Sequence, residues 1–184
     1  MIYFENEQLR IRNMQPEDPK IIASEEVKQE GWGYDDWKYE MRLRHQAEGK
    51  CVSLVCEYKG EVAGYINLYY EYSHGPFAGT GIPEIVDFGV LEKFRRRGIG
   101  SALMDAAETL AKEASGEVCL GVGLYSSYGS AQRMYVKRGY IPDGSGVWYK
   151  NENCPPYADI RNDDDLVLYL SKKLRKETEN ENRG

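Results

Sequence analysis

The stretch Val90-Leu91-Glu92-Lys93-Phe94-Arg95-Arg96-Arg97-Gly98-Ile99-Gly100-Ser101 constrains this chain more than any other. Ile82–Leu91 before it reads as a strand. After it, Ile99, Leu103, Ala106, Ala107, Leu110 and Ala114 recur at helical spacing. A strand therefore runs through a short basic turn into an amphipathic helix. The first turn of a helix leaves its N–H groups without intrahelical partners and carries the positive end of the macrodipole. No Ser, Thr, Asp or Asn precedes this helix to cap those donors. Gly98 and Gly100 let backbone approach a ligand without an intervening Cβ, and Arg95, Arg96 and Arg97 add positive charge. The combination predicts a phosphate or pyrophosphate site at a helix N-terminus. The plain alternative is a solvated, Arg-rich turn entering a surface helix.

Two familiar phosphate motifs are absent. No Gly-Lys-Ser/Thr follows, so this is not a P-loop, and position 103 is Leu where the dinucleotide fingerprint needs its third glycine. What remains is Arg-x-x-Gly-x-Gly at Arg95, Gly98 and Gly100.

The rest of the chain alternates strands and helices. Leu9–Met14 alternates apolar and polar, as a strand does. A helix opens around Gln15-Pro16-Glu17-Asp18-Pro19, with proline tolerated in the first turn, and ends near Gly31. Gly31–Tyr34 is a loop. Asp35 caps a second helix running through Ala47, with Trp37, Met41 and Arg44 near one face. Cys51–Tyr58 and Val62–Tyr70 form a hairpin across Lys59-Gly60-Glu61. Glu71–Gly81 is a long loop. Glu117–Val122 is a strand, and Ser127–Arg138 a helix closed by Gly139. Tyr140–Gly146 is a turn, Val147–Lys150 a short strand, Asn151–Asp165 a polar loop, and Leu166–Leu170 a last strand with room to extend to Leu174. The order, β-α-α-β-β-β-α-β-α-β-β, is that of a mixed α/β domain. With 184 residues and 41% hydrophobic residues, the expectation is one globular domain over 1–175 and a disordered polar tail over 176–184.

Two segments carry a family resemblance. One is Asp87-Phe88-Gly89-Val90 through Phe94-Arg95-Arg96-Arg97-Gly98-Ile99-Gly100-Ser101-Ala102-Leu103-Met104. The other is Ser130-Ala131-Gln132-Arg133-Met134-Tyr135-Val136-Lys137-Arg138-Gly139-Tyr140, an Ala-x-x-x-Tyr-x-x-x-Gly-aromatic helix. Together, in this order, they resemble the GNAT superfamily of N-acetyltransferases. The likeness extends from about Leu9 to about Leu170. One departure is Tyr128, which stands where many members carry Asn.

The resemblance implies a GNAT-like fold, a central mixed but mostly antiparallel sheet with a splayed strand, flanked by helices. It implies acetyl-CoA as cosubstrate and an amine as acceptor. Arg95, Arg96, Arg97, Gly98, Ile99, Gly100 and Ser101 would hold the pyrophosphate. Backbone at Phe88 and Val90 would bind the pantetheine arm, and Tyr128 and Ser130 fall in the cofactor-binding set. Tyr135 would protonate the leaving thiolate. An ammonium must lose its proton before it can attack, so a base is needed. Glu84 shares a face with Val86, Phe88 and Val90 if the strand is regular, and it is the first choice. Asp87 is second and requires a bulge to reach that face; the loop histidine His74 is third. Acceptor candidates are Trp32, Tyr34, Tyr69, Tyr72, Asp143 and Trp148.

A net charge of -6 and a pI near 5.1 argue against a nucleic-acid surface built on the three arginines. No apolar run reaches membrane-spanning length, and the N-terminus lacks the pattern of a signal peptide. Four cysteines without metal-ligand spacing point to a metal-free protein of the reducing cytoplasm. The oligomeric state is open, a homodimer among the options. The alternative to an enzyme is a non-catalytic acyl-CoA-binding or regulatory module on the same fold.

Overall fold

The alternating segment Leu9–Asn13 does form a strand, and it has a partner that the sequence did not announce. In the computed structural model, which describes residues 1–31 and 33–174, β1 (Ile2–Glu5) lies antiparallel against β2 (Leu9–Asn13). The described residues form two compact units, the first made of Met1–Tyr69 and Ile85–Leu110, the second of Tyr70–Glu84 and the residues from Ala111 onward.

In the first unit, α1 (Asp18–Glu30) carries proline in its first turn and ends at Gly31, which is left-handed with φ 71°. Its start is fixed by Asp18. That carboxylate accepts two bonds from the buried Arg12 guanidinium, at 2.6 and 3.0 Å, while Arg12 also donates to Glu57 at 2.7 Å. α2 (Trp37–Ala47) begins where the Asp35 carboxylate accepts the Trp37 N–H at 3.0 Å. Its inward face differs from the expected one. Tyr39 and Arg42 are buried, whereas Trp37 is 65% exposed. An apolar-face reading misses this because the buried polar ends find partners elsewhere in the unit. β3 (Cys51–Tyr58) and β4 (Glu61–Tyr69) make the expected hairpin, and β2 pairs with β3. Strand order continues β1-β2-β3-β4-β5, with β5 at Glu84–Val90. Met14, Ile22, Ala23, Tyr39, Val55 and Tyr65 form a buried cluster between helices and strands. α3 (Ile99–Ala114) buries Ile99, Leu103, Met104 and Ala107.

In the second unit, β6 (Glu117–Gly123) pairs antiparallel with β9 (Leu166–Lys173) over its full length. A short 3-10 turn at Ser126–Tyr128 precedes α4 (Gly129–Lys137), and Gly139 follows with φ 89°. The expected turn over Tyr140–Gly146 is instead part of one strand, β7 (Ile141–Tyr149), paired with β9. Pro142, Gly144 and Gly146 read as turn residues, but β9 supplies the partner and the irregularity is absorbed as a register shift between Pro142 and Val147. The polar stretch after it begins with a two-residue turn, Lys150 and Asn151 at φ 51° and 66°, and a further short strand, β8 (Glu152–Asn153). The observed order thus adds β1 and β8 to the expected one. The tail expected to be disordered, 176–184, lies outside the described residues.

Candidate active site

The basic turn of the first unit is held at several points. Leu91 and Phe94 are buried, and the Leu91 N–H donates to the Ala63 carbonyl at 3.0 Å. Lys93 donates its backbone N–H to Gln29 at 2.9 Å and its ammonium to Glu25 and Glu61. The last turn of α1 therefore grips the turn that enters α3. Arg96 is left-handed at φ 62° and Gly98 at φ 80°. The Gly98 carbonyl accepts the first helical bond of α3, from Ala102 at 3.0 Å. Residues 98–101 are then the positions whose N–H groups a helix cannot satisfy internally. Nothing lies within 4 Å of the place a Cβ on Gly98 would take, so an anion has room there. Gly98 has no side chain to cap the donors. Ile99 is buried, and Ser101 is exposed.

The arginines are not equivalent. Arg95 donates to the Val90 carbonyl at 3.2 Å and is ion-paired to Glu30. The Val90 carbonyl is thus already bonded. Arg97 lies over the Tyr58 ring, 5.0 Å from its centroid, and donates to its hydroxyl at 3.3 Å.

β5 is not regular. Asp87 has φ 48°, an uncommon value for any residue but glycine. The simple alternation that would put Glu84, Val86, Phe88 and Val90 on one face does not run through it. The Asp87 carboxylate is bound by Arg42 Nε at 2.8 Å and, more closely, by Arg42 Nη2. Tyr69, an acceptor candidate, is buried beside them. It receives a bond from Arg42 at 2.7 Å and lies 2.7 Å from His45 Nδ1. Phe88 is half-buried. Tyr34 is 55% exposed and donates to Asp36 at 2.9 Å. Trp32 lies outside the described residues.

In the second unit, Glu84 is only 5% exposed, and its Oε2 has no hydrogen-bond partner among the described residues. Burial pushes its carboxyl up to about 8. The segment leading to it is fixed by Cys119, whose N–H donates to the Pro83 carbonyl at 3.0 Å. Burial and then the Glu84 charge raise both the Cys119 thiol and the Tyr169 phenol, so these three side chains share one region. Trp148 packs edge-on against Tyr169 at 5.8 Å between centroids and donates its indole N–H to Ser145 at 2.7 Å. Asp143 accepts the Ser145 N–H at 3.2 Å. Tyr72 packs against His74, which is exposed.

Tyr135 is 6% exposed on α4, and burial raises its phenol, so it keeps its proton at neutral pH. Its ring meets that of Tyr140 at 5.9 Å. Tyr128 donates to Asp164 at 2.7 Å, and Tyr125 binds the same carboxylate oxygen. Its ring lies against Gly123, where a Cβ would come within 2.4 Å. Ser130 is exposed at the start of α4.

Sequence reasoning does not single out Asn67 or Arg42, although both touch Asp87. The one signal was Asn67 itself, a polar residue between Ile66 and Leu68 in an otherwise apolar strand.

The pattern described as the acetyltransferase (GNAT) family matches residues 10–140. The chain is 32% identical over 112 residues to an N-alpha-acetyltransferase of Sulfurisphaera tokodaii, a match covering 58% of this chain and 66% of that protein. It is similar to the crystal structure of Ard1 from Thermoplasma volcanium, with a TM-score of 0.66 and 25% identity over 92% of this chain and 99% of that one. It also shares its fold with Arabidopsis thaliana Naa50, solved in complex with the bisubstrate analogue CoA-Ac-MVNAL, at a TM-score of 0.60 and 16% identity over 91% and 99% of the two chains.

Proposed function

The chain belongs to the GNAT acetyltransferase family, and from that premise we propose that it transfers an acetyl group from acetyl-CoA to an amine, the α-amino group of a polypeptide being the preferred acceptor class. The observation that carries the proposal is the turn into α3. Left-handed Arg96 and Gly98 deliver four uncapped N–H groups to an open, positively charged point, which is where a pyrophosphate is best held. Support for the acceptor class comes from the N-alpha-acetyltransferase of Sulfurisphaera tokodaii.

Each step has a residue of this chain behind it. Residues 98–101 hold the pyrophosphate mainly through backbone, with Arg96 the arginine best placed to add charge, since Arg95 and Arg97 already have partners. Glu84 takes a proton from the acceptor ammonium. The neutral amine then attacks the thioester carbonyl carbon, the new C–N bond forms, and the C–S bond breaks as its electron pair leaves with sulfur. The nitrogen of the new amide sheds its second proton to solvent, Tyr135 gives the thiolate its proton and regains one from solvent, and Glu84 returns its own to solvent. Asp87 is the weaker candidate for base because Arg42 holds its carboxylate. A carboxyl near 8 is well matched to an amine, because a base works best when its pKa lies near the working pH. The cytoplasm fits the buried cysteines Cys51, Cys56 and Cys119, which stand as thiols.

The test is product mass. Purified protein, acetyl-CoA and a pool of peptides with free α-amines should give peptides heavier by one acetyl group, with release of a thiol. A parallel pool with blocked α-amines but free lysines separates the two amine classes. Binding of acetyl-CoA without product on any amine would leave a binding module instead of an enzyme.

A further inference from the structure

The left-handed Asp87 in β5 is held from two directions. A non-glycine residue keeps such a conformation only where its surroundings over-determine it. Asn67 on β4 is fully buried, and its Nδ2 donates to two successive carbonyls of β5, those of Val86 at 3.2 Å and Asp87 at 3.1 Å. Arg42 on α2 binds the Asp87 carboxylate through both Nε and Nη2 and is itself steadied by Tyr69. Backbone and side chain of one residue are therefore fixed by two neighbours.

The bonds to Asn67 decide where the β5 donors point. In a regular strand successive carbonyls face opposite edges. Here one amide nitrogen binds two in a row, so both face Asn67. A trans peptide is planar, and the N–H of each residue runs opposite to the carbonyl before it. The N–H groups of Asp87 and Phe88 consequently leave β5 on the side away from Asn67. Adjacent donors turned the same way form a concavity suited to a negatively charged or strongly polarised oxygen. Asn67 also carries a cost that packing alone would not require. Its Oδ1 is buried with no partner among the described residues, and an apolar side chain of similar size would avoid that.

We propose that Asn67 and Arg42 are positioning residues that hold the β5 bulge at Asp87, so that the Asp87 and Phe88 N–H groups face the thioester carbonyl of a bound acyl-CoA. The proposal rests on the acyl-CoA reading above. Attack by the amine moves negative charge onto that carbonyl oxygen, and donors fixed beforehand stabilise it without reorganising.

Asn67→Leu keeps approximate shape and removes both donated bonds. The expected result is a fall in kcat of about tenfold or more, with the Kd for coenzyme A, which lacks the acetyl carbonyl, changed less than about twofold. In the wild type, the Phe88 amide proton should move further downfield with acetyl-CoA than with coenzyme A, and Asn67→Leu should lose that difference. Arg42→Lys, which keeps the charge and loses the two-pronged grip, should show the same split and carries the kinetic test if Asn67→Leu does not fold. A folded Asn67→Leu or Arg42→Lys with wild-type kcat overturns the proposal, as does an identical Phe88 response to the two ligands in the wild type. A wild type that binds neither ligand by calorimetry overturns the acyl-CoA reading, and this proposal with it.

Discussion

The phenol of Tyr169 and the backbone of Gly75 are in direct contact: a Cβ on Gly75 would lie 2.5 Å from both the ring Cζ and its oxygen. Phe77 packs on the same ring at 6.4 Å between centroids. The 71–81 loop is thereby anchored on the tyrosine whose phenol feels the Glu84 charge. Gly75→Ala adds that clash to a backbone at φ 77°, and overpacking of this kind costs about 1–3 kcal/mol. The loop should shift, and the KM for the amine should change several-fold while the Kd for acetyl-CoA holds. Steady-state kinetics with the amine varied checks this. An unchanged amine KM would argue against any role of this loop in binding the acceptor.

Glu84 gives a pH prediction with two readouts. Its carboxyl rises from 4.5 to about 8 on burial, so between those values the folded state keeps a proton that the unfolded chain has lost. The stability linked to that proton is fully present below 4.5 and is lost as pH rises through about 8. Glu84→Gln should therefore match the wild type near pH 4.5 and exceed it by on the order of a few kcal/mol at pH 8, since a tenfold change in proton affinity corresponds to about 1.4 kcal/mol. The same variant should be slower at neutral pH and lack the wild-type rise in rate through about pH 8. The gap should narrow at higher pH as free amine becomes abundant. Denaturant melts and rate profiles over one pH series decide both; parallel stability curves would place this carboxyl in water.

Tyr135→Phe keeps the ring packed against Tyr140 and removes only the hydroxyl. Positioned acid catalysis contributes about 10²–10⁴-fold, and a thiol with a pKa of about 8.5 is already a fair leaving group, so the loss in kcat should sit near the lower end. Folding and acetyl-CoA affinity should be retained. If the melting temperature falls and turnover per folded molecule does not, Tyr135 is a packing residue.

The proposed anion site should depend on backbone more than on any one arginine. Gly98→Val places a β-branched residue at φ 80°, where L-residues are disfavoured by roughly 1–2 kcal/mol. It should weaken acetyl-CoA binding by about five- to thirtyfold, on the order of that strain converted to affinity. Arg97→Ala should weaken it less, because Arg97 is engaged with Tyr58. Calorimetry on the two variants gives the comparison, and equal affinities would end the helix-terminus argument.

Local geometry made the basic, glycine-containing turn into α3, the Cys51–Tyr58 hairpin and the two signature helices legible from the sequence. Glycines, turn residues and apolar periodicity act over a few neighbouring residues, and each names its own conformation. Tertiary partners decided the rest. Ile2–Glu5 becomes a strand because β2 offers it an edge, and Ile141–Tyr149 becomes one because β9 pairs with it despite Pro142 and two left-handed glycines. α2 turns Arg42 inward, against its polarity, because Asp87 and Tyr69 await it there. Asp87 takes a conformation no strand pattern suggests, because Asn67 binds two carbonyls around it. A buried polar group is tolerated only when its partner is in place, and that partner lies 20 residues away for Asn67 and 45 for Arg42. The residues of the turn could thus be read singly, whereas the bulge exists only as a relation among three segments.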